Sequence, residues 1–364
     1  MKLYIGGYTQ KNNSPGIHSV DIDEDGALRL AGTTPHGENP SFVVVSPSSD
    51  LLYAVSELDG SAAVWAYRIA ADGSLTLAKR VGVEGSGLCY LSVAGGSNHA
   101  APTRAAQTYG GAPAFGAATR GTPSLLGACY LSGSVFRVEL DGDGLPTERI
   151  SYFTHPRGEP AVVTHAHCLV PDPQGRFAVA ADLGLDCLFV YPLDRPGLAP
   201  LEDATVRLPK GEGPRHLVFH PSLPMADLST EYGNRVYAFR YDSDRGRLDA
   251  VQALSALPSD VTVKSYCADI RLSADGNILL VSNRGHDSIA CFRIDADGSL
   301  AALGRQSTFG SWPRGFALLG DDRFLVVADQ KDDLLVSVRF DPEHPQAHPI
   351  SRLAIPAPTW VSAM

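Results

Sequence analysis

Long apolar runs are missing from this chain. None approaches the roughly 18 residues that a membrane-crossing helix needs. No apolar segment of signal-peptide type precedes Lys2-Leu3-Tyr4, so a cytoplasmic protein without a membrane partner is expected. Basic charge is also short. Thirty Lys and Arg stand against 40 Asp and Glu, a formal net charge of −10, which argues against a general nucleic-acid binder. Cysteine is sparse: the six are Cys89, Cys129, Cys168, Cys187, Cys267 and Cys291. No close pair has metal-site spacing and most lie in strand-like runs, so buried free thiols in a reducing compartment are expected.

What the chain does have is a repeat. A short apolar run leads into a polar turn, a second and a third run follow, and an Asp-Gly type of turn closes the unit. Turns before the second run include Ser46-Pro47-Ser48-Ser49-Asp50, Pro171-Asp172-Pro173-Gln174-Gly175 and Ser273-Ala274-Asp275-Gly276. Turns after the third include Asp72-Gly73-Ser74-Leu75, Asp143-Gly144-Leu145 and Asp297-Gly298-Ser299-Leu300. The period is roughly 45 residues, the size of one four-stranded propeller blade. Full blades begin near Asn39, Gly87, His165, Pro214, Cys267 and Pro313. The N-terminus holds three strands of another blade, and Thr359 to Ala363 is a spare strand. The expected architecture is all-β, a single seven-bladed β-propeller over residues 1–364, in which the C-terminal strand completes the N-terminal blade and leaves no open edge. Residues 94–123, rich in Ala, Gly, Thr and Pro, form a low-complexity insertion within blade 3.

Propeller topology sorts the polar residues by face. The loop entering each innermost strand and the loop leaving each second strand share one face. There the entering segments carry His165, His167, Arg215, His216 and Arg314, and the leaving segments carry Glu57, Asp182, Glu231 and Arg284. Charges converging on a central funnel suit a small anionic ligand. His165 is the candidate general base, and His167 either joins it or bonds backbone between blades. Arg215 and Arg284 suit anion capture, because guanidinium pairs bidentately with carboxylate or phosphate. Glu231 either neutralises an arginine or acts in catalysis. His216, His220 and Asp269 read as structural. No set of three or four convergent His and carboxylate ligands is evident, so neither metal nor cofactor is expected.

At these residues the chain resembles the seven-bladed propeller lactonases, which include bacterial 6-phosphogluconolactonases and fungal carboxymuconate cyclising enzymes. The matching words are Gly213-Pro214-Arg215-His216-Leu217-Val218-Phe219-His220-Pro221, Ala268-Asp269-Ile270, Pro313-Arg314-Gly315-Phe316, Asp182-Leu183-Gly184 and Trp360-Val361. The resemblance spans nearly the whole chain. It implies metal-independent hydrolysis of a sugar lactone, with His165, Glu231 and Arg215 as catalytic residues and Arg284, His167, Arg314 and Asp182 as substrate contacts. The implied partner is a small anionic sugar lactone, acted on by a monomer or weak dimer. Alternatives are a muconate-type lactonising reaction, a lactonase for an unphosphorylated aldonolactone, and a non-catalytic binding propeller. Two features depart from the family pattern: the insertion after Val93, expected on the face away from the funnel, and Asp227, where an aromatic is usual.

Overall fold

The computed structural model describes residues 1–10, 14–48, 50–96, 119–156 and 162–364. Among these, seven four-stranded antiparallel sheets form. Blade 5 shows how the sequence builds each one. Pro214–Phe219, Met225–Thr230, Arg235–Asp242 and Arg247–Ser255 pair in chain order. The first two strands are almost wholly buried, while the fourth alternates, as expected when inner strands are covered on both faces and the outer one meets water.

The turns do more than reverse the chain. Asp172 Oδ1 accepts the backbone N–H groups of Arg176 (2.7 Å) and Phe177 (3.0 Å) within blade 4. Its Oδ2 accepts the Tyr241 hydroxyl of blade 5 at 3.0 Å. On the far face, the Tyr4 and Tyr53 hydroxyls donate to the Gly73 and Gly144 carbonyls of the following blades, at 3.0 and 2.7 Å. Turn chemistry therefore also links neighbouring sheets. Between the sheets lie the core side chains, among them Val179, Leu188, Leu228, Phe239, Leu279 and Phe292. Each contributes roughly 1.5–3 kcal/mol by leaving water.

Closure follows the expected scheme. Pro358–Ala363 pairs antiparallel with Lys2–Gly7, matching Leu3 with Ala363, Ile5 with Val361 and Gly6 with Trp360. The Thr359 hydroxyl donates to the Ser41 carbonyl at 2.7 Å, and the Trp360 and Phe42 ring centroids stand 3.9 Å apart. The C-terminal strand is thereby fastened to blade 2 as well as to blade 1.

Two local expectations change. The first two strands of blade 3 run further than their apolar cores, over Leu88–Gly96 and Thr119–Cys129, and Gly96 pairs with Thr119. Backbone pairing extends the ladder into residues poor in side-chain signal. The rest of the insertion, 97–118, lies outside the described residues. Asp227 does not disrupt its strand: it pairs in register with Val218 and Ala238, although it is 2% exposed and its Oδ1 has no partner among the described residues. The six cysteines are buried and unpaired. No helix of the described residues is long and apolar enough to cross a membrane.

Candidate active site

Backbone register determines what faces the funnel. A residue just beyond the second strand donates its N–H back to a carbonyl just before the innermost strand; in blade 2 the pair lies slightly further out on both sides. Tyr8, Glu57, Tyr130, Leu183, Glu231 and Gln330 donate in this way to the carbonyls of Ala357, Asn39, Gly87, His165, Gly213 and Trp312. In blade 6 the matching pair is Arg284 and Tyr266. A ring of seven side chains results, and Glu57, Glu231 and Arg284 are its charged members.

A second ring lies below it. Strict strand alternation would send Arg215 and His216 to opposite faces. Instead the inner strand of blade 5 carries a β-bulge: Pro214 pairs with Thr230 and His216 with Ser229, leaving Arg215 unopposed. Such bulges re-aim side chains next to functional sites. The same skip falls at Thr359, Cys89, His167 and Arg314 in blades 1, 3, 4 and 7. Together with Ser41, Phe42, His216 and Trp360 these residues enclose a cavity of about 10 Å³ at the funnel floor, the room of roughly one water.

The two rings meet in a charge cluster. Glu231 Oε2 accepts Arg215 Nε–H at 3.0 Å and Arg284 Nη2–H at 2.7 Å. Arg284 also donates to the Cys267 carbonyl at 3.1 Å, while its Nε has no partner among the described residues. The three side chains are 15%, 2% and 5% exposed respectively. Burial opposes ionisation of Glu231, but the two guanidiniums outweigh it and hold its carboxyl below the usual range. Burial, then Arg284, lowers Arg215 to about 10, which leaves it cationic at neutral pH. Across the funnel, Arg314 lies 4.0 Å from Glu57 and 5.3 Å from the Tyr8 ring. Glu57 accepts the Tyr8 hydroxyl at 2.9 Å and also the Ser41 hydroxyl. Three arginines thus face two carboxylates, a net charge of +1 in a chain that is acidic overall.

His165 sits on the rim just before its strand, partly exposed, with its ring stacked on Tyr130 at 4.3 Å. Its Nδ1 lies 2.9 Å from the Tyr130 carbonyl. A carbonyl only accepts, so in the neutral ring Nδ1 carries the proton and Nε2 keeps its lone pair. His167, two residues on, is a floor residue. Burial, then Arg215, pushes its pKa well below the ordinary value, so it is a neutral imidazole. His216 is held neutral by the same causes.

Asp182 stands apart from this group. It is wholly buried. Its Oδ1 accepts the N–H groups of His165 (2.8 Å), Gly184 (3.1 Å) and Leu185 (3.0 Å). Its Oδ2 contacts His155 Nδ1 at 2.6 Å and accepts the Thr164 hydroxyl. No acceptor capacity is left for a ligand, so the expected substrate contact is corrected to a support for the His165 backbone. Tyr8 and Tyr130 carry no signal in the sequence reading, and Glu57, placed on this face from the sequence, is assigned no role there. Glu57 carried a readable signal, because it follows Ser56 as Glu231 follows Thr230. Among the described residues no three His, Cys, Asp or Glu side chains converge as metal ligands.

The family model described as "Lactonase, 7-bladed beta-propeller" matches residues 2–101 and 93–363. The 6-phosphogluconolactonase of Bacillus subtilis strain 168 is 31% identical over 346 residues, covering 93% of this chain and 91% of the relative. The 6-phosphogluconolactonase of Klebsiella pneumoniae strain 342 is 29% identical, covering 97% of each. The solved structure of a periplasmic gluconolactonase from Pseudomonas aeruginosa superposes with a TM-score of 0.82 at 28% identity, covering 99% of this chain and 98% of that one.

Proposed function

The chain belongs to the seven-bladed β-propeller lactonase family, and from that premise we propose that it hydrolyses 6-phosphogluconolactone to 6-phosphogluconate. The observation that carries the reading is the pair of buried arginines sharing one Glu231 oxygen. In this mechanism His165 Nε2 accepts a proton from water as the water oxygen attacks the lactone carbonyl. The carbonyl oxygen becomes an oxyanion within reach of Arg215 or Arg284, whose charge is fixed in place before the reaction and is little screened. The tetrahedral centre collapses, the bond to the ring oxygen breaks, and the His165 imidazolium returns its proton to that oxygen. Glu231 holds both guanidiniums, Arg314 and His167 line the substrate side, and Asp182 positions His165. No step calls on a metal.

The proposal includes a cytoplasmic enzyme of the pentose phosphate pathway, working as a monomer or weak dimer. A second reading, hydrolysis of an unphosphorylated aldonolactone, is favoured by the likeness to the gluconolactonase structure. Turnover of 6-phosphogluconolactone measured beside glucono-1,5-lactone, against a no-enzyme control and with and without chelator, separates the two. Preference for the phosphorylated lactone, unchanged by chelation, supports the proposal. Preference for the unphosphorylated one establishes the second reading.

A further inference from the structure

A groove of about 520 Å³ opens beside the charge cluster, lined by Tyr232, Leu257, Val261, Val263, Lys264 and Tyr266. One wall continues directly from Glu231 through Tyr232. The other is the segment that enters blade 6. Both walls are tied in place: Asn234 Nδ2 donates to the Tyr232 carbonyl at 3.1 Å and to the Ser265 carbonyl at 2.9 Å. Gly285, at φ +93°, lets the Lys264 carbonyl lie against the exit of blade 6, where a Cβ would collide with it.

Two cations approach one aromatic ring of the groove. Arg284 Cζ lies 5.9 Å from the Tyr266 ring centroid, and Lys264 Nζ lies 5.3 Å from the same centroid. Arg284 is committed to Glu231, whereas Lys264 has no ion-pair partner among the described residues. Asp260, the one acid in the loop 257–265, acts on His286 and Arg305 instead. The walls beside Lys264 are apolar, with Val263 and Tyr232 52% and 46% exposed.

We propose that this groove holds the phosphate end of the substrate, with Lys264 as the phosphate contact; the inference rests on the lactonase reading above. A lactone whose carbonyl lies at Arg284 and Arg215 must send its far end somewhere, and the groove leads away from that cluster. What waits there is an ammonium, a compact point charge suited to a tetrahedral phosphate, not the planar fork that suits carboxylate. The site therefore selects a six-carbon lactone phosphorylated at the end remote from its carbonyl.

The test is the ratio of kcat/KM for 6-phosphogluconolactone to that for glucono-1,5-lactone, in wild type, Lys264→Ala and Lys331→Ala, at low salt. Lys331 lies 3.3 Å above the Trp312 ring, outside the groove, and controls for loss of one nearby positive charge. The ratio is expected to fall about tenfold in Lys264→Ala and less than about twofold in Lys331→Ala. Calorimetry with 6-phosphogluconate gives a readout independent of turnover, and its Kd should rise by a similar factor in Lys264→Ala alone. An unchanged ratio and Kd in Lys264→Ala, with the wild type active on the phosphorylated lactone, overturns the inference and leaves the lactonase reading standing. A wild type that opens neither lactone overturns both.

Discussion

Removing the charge of Glu231 should destabilise the fold and at the same time sharpen its appetite for anions. The carboxylate meets two guanidiniums that are 2% and 5% exposed, at 3.0 and 2.7 Å, through a single oxygen. Taking one partner from a buried ion pair costs roughly 3–5 kcal/mol, because the remaining charge stays desolvated and unpaired. Here Arg284 keeps the Cys267 carbonyl, and the 15% exposure of Glu231 admits some solvent, so the lower end applies, about 3 kcal/mol. The shift is about 2–4 °C per kcal/mol for chains of 150–250 residues and smaller for longer ones, so Glu231→Gln should melt about 4–6 °C below wild type. Glu231 also competes with any anion for the same two arginines. Phosphate or 6-phosphogluconate should therefore raise Tm more in Glu231→Gln than in wild type, closing part of the gap by mass action. Thermal melts across a phosphate titration at constant ionic strength read both effects. A mutant melting within about 2 °C of wild type, or gaining no more from phosphate, would refute the shared-oxygen pairing as the main restraint on these arginines.

Two further perturbations probe how the site is supported. A Cβ on Gly184 would collide with the Val163 carbonyl and come within 3.1 Å of His165 Cδ2, so Gly184→Ala should shift the histidine. It should lower kcat by about tenfold or more while circular dichroism stays native; full activity would mean that the loop relaxes without moving the ring. Asp227 tests the core: burial raises its pKa to about 8, above the ordinary 3.8. The native state then holds this proton more tightly than the unfolded chain, so stability is full below pH about 4 and falls as pH rises through about 8. Asp227→Asn should remove that decline and gain up to a few kcal/mol over wild type at pH 9, with no gain near pH 4. Parallel profiles in urea melts at the two pH values would contradict this; Asp329, raised by the same cause, accounts for part of the slope in both proteins.

The blades were legible because their turns are chemical. Asp-Gly pairs fix left-handed turn positions, and apolar runs between them can only be strands of this length. Closure was legible from an orphan strand at one end and an incomplete blade at the other. The site was legible only as a face. Alternation assigns Arg215 and His216 to opposite sides, and nothing in Pro214-Arg215-His216 announces the bulge that turns Arg215 inward. Asp182 was misplaced for a related reason. Its position at the end of a second strand predicts the funnel face, but three converging N–H groups take up the carboxylate. Tyr130 was missed because its value lies in its backbone: its carbonyl sets the His165 tautomer. Only the Tyr130–His165 contact crosses blades, 35 residues apart; the other two lie within a blade, and all three are settled by register and not by local composition.

His165 Nε2 is the group on which the proposed lactone hydrolysis turns. The most direct measurement is steady-state turnover of 6-phosphogluconolactone by wild type and His165→Ala, run beside thermal melts of both. In His165→Ala kcat should fall roughly 10²–10⁴-fold with little change in KM, and the melts should nearly coincide, since the partly exposed ring carries little of the core. A folded His165→Ala protein with wild-type turnover would contradict it.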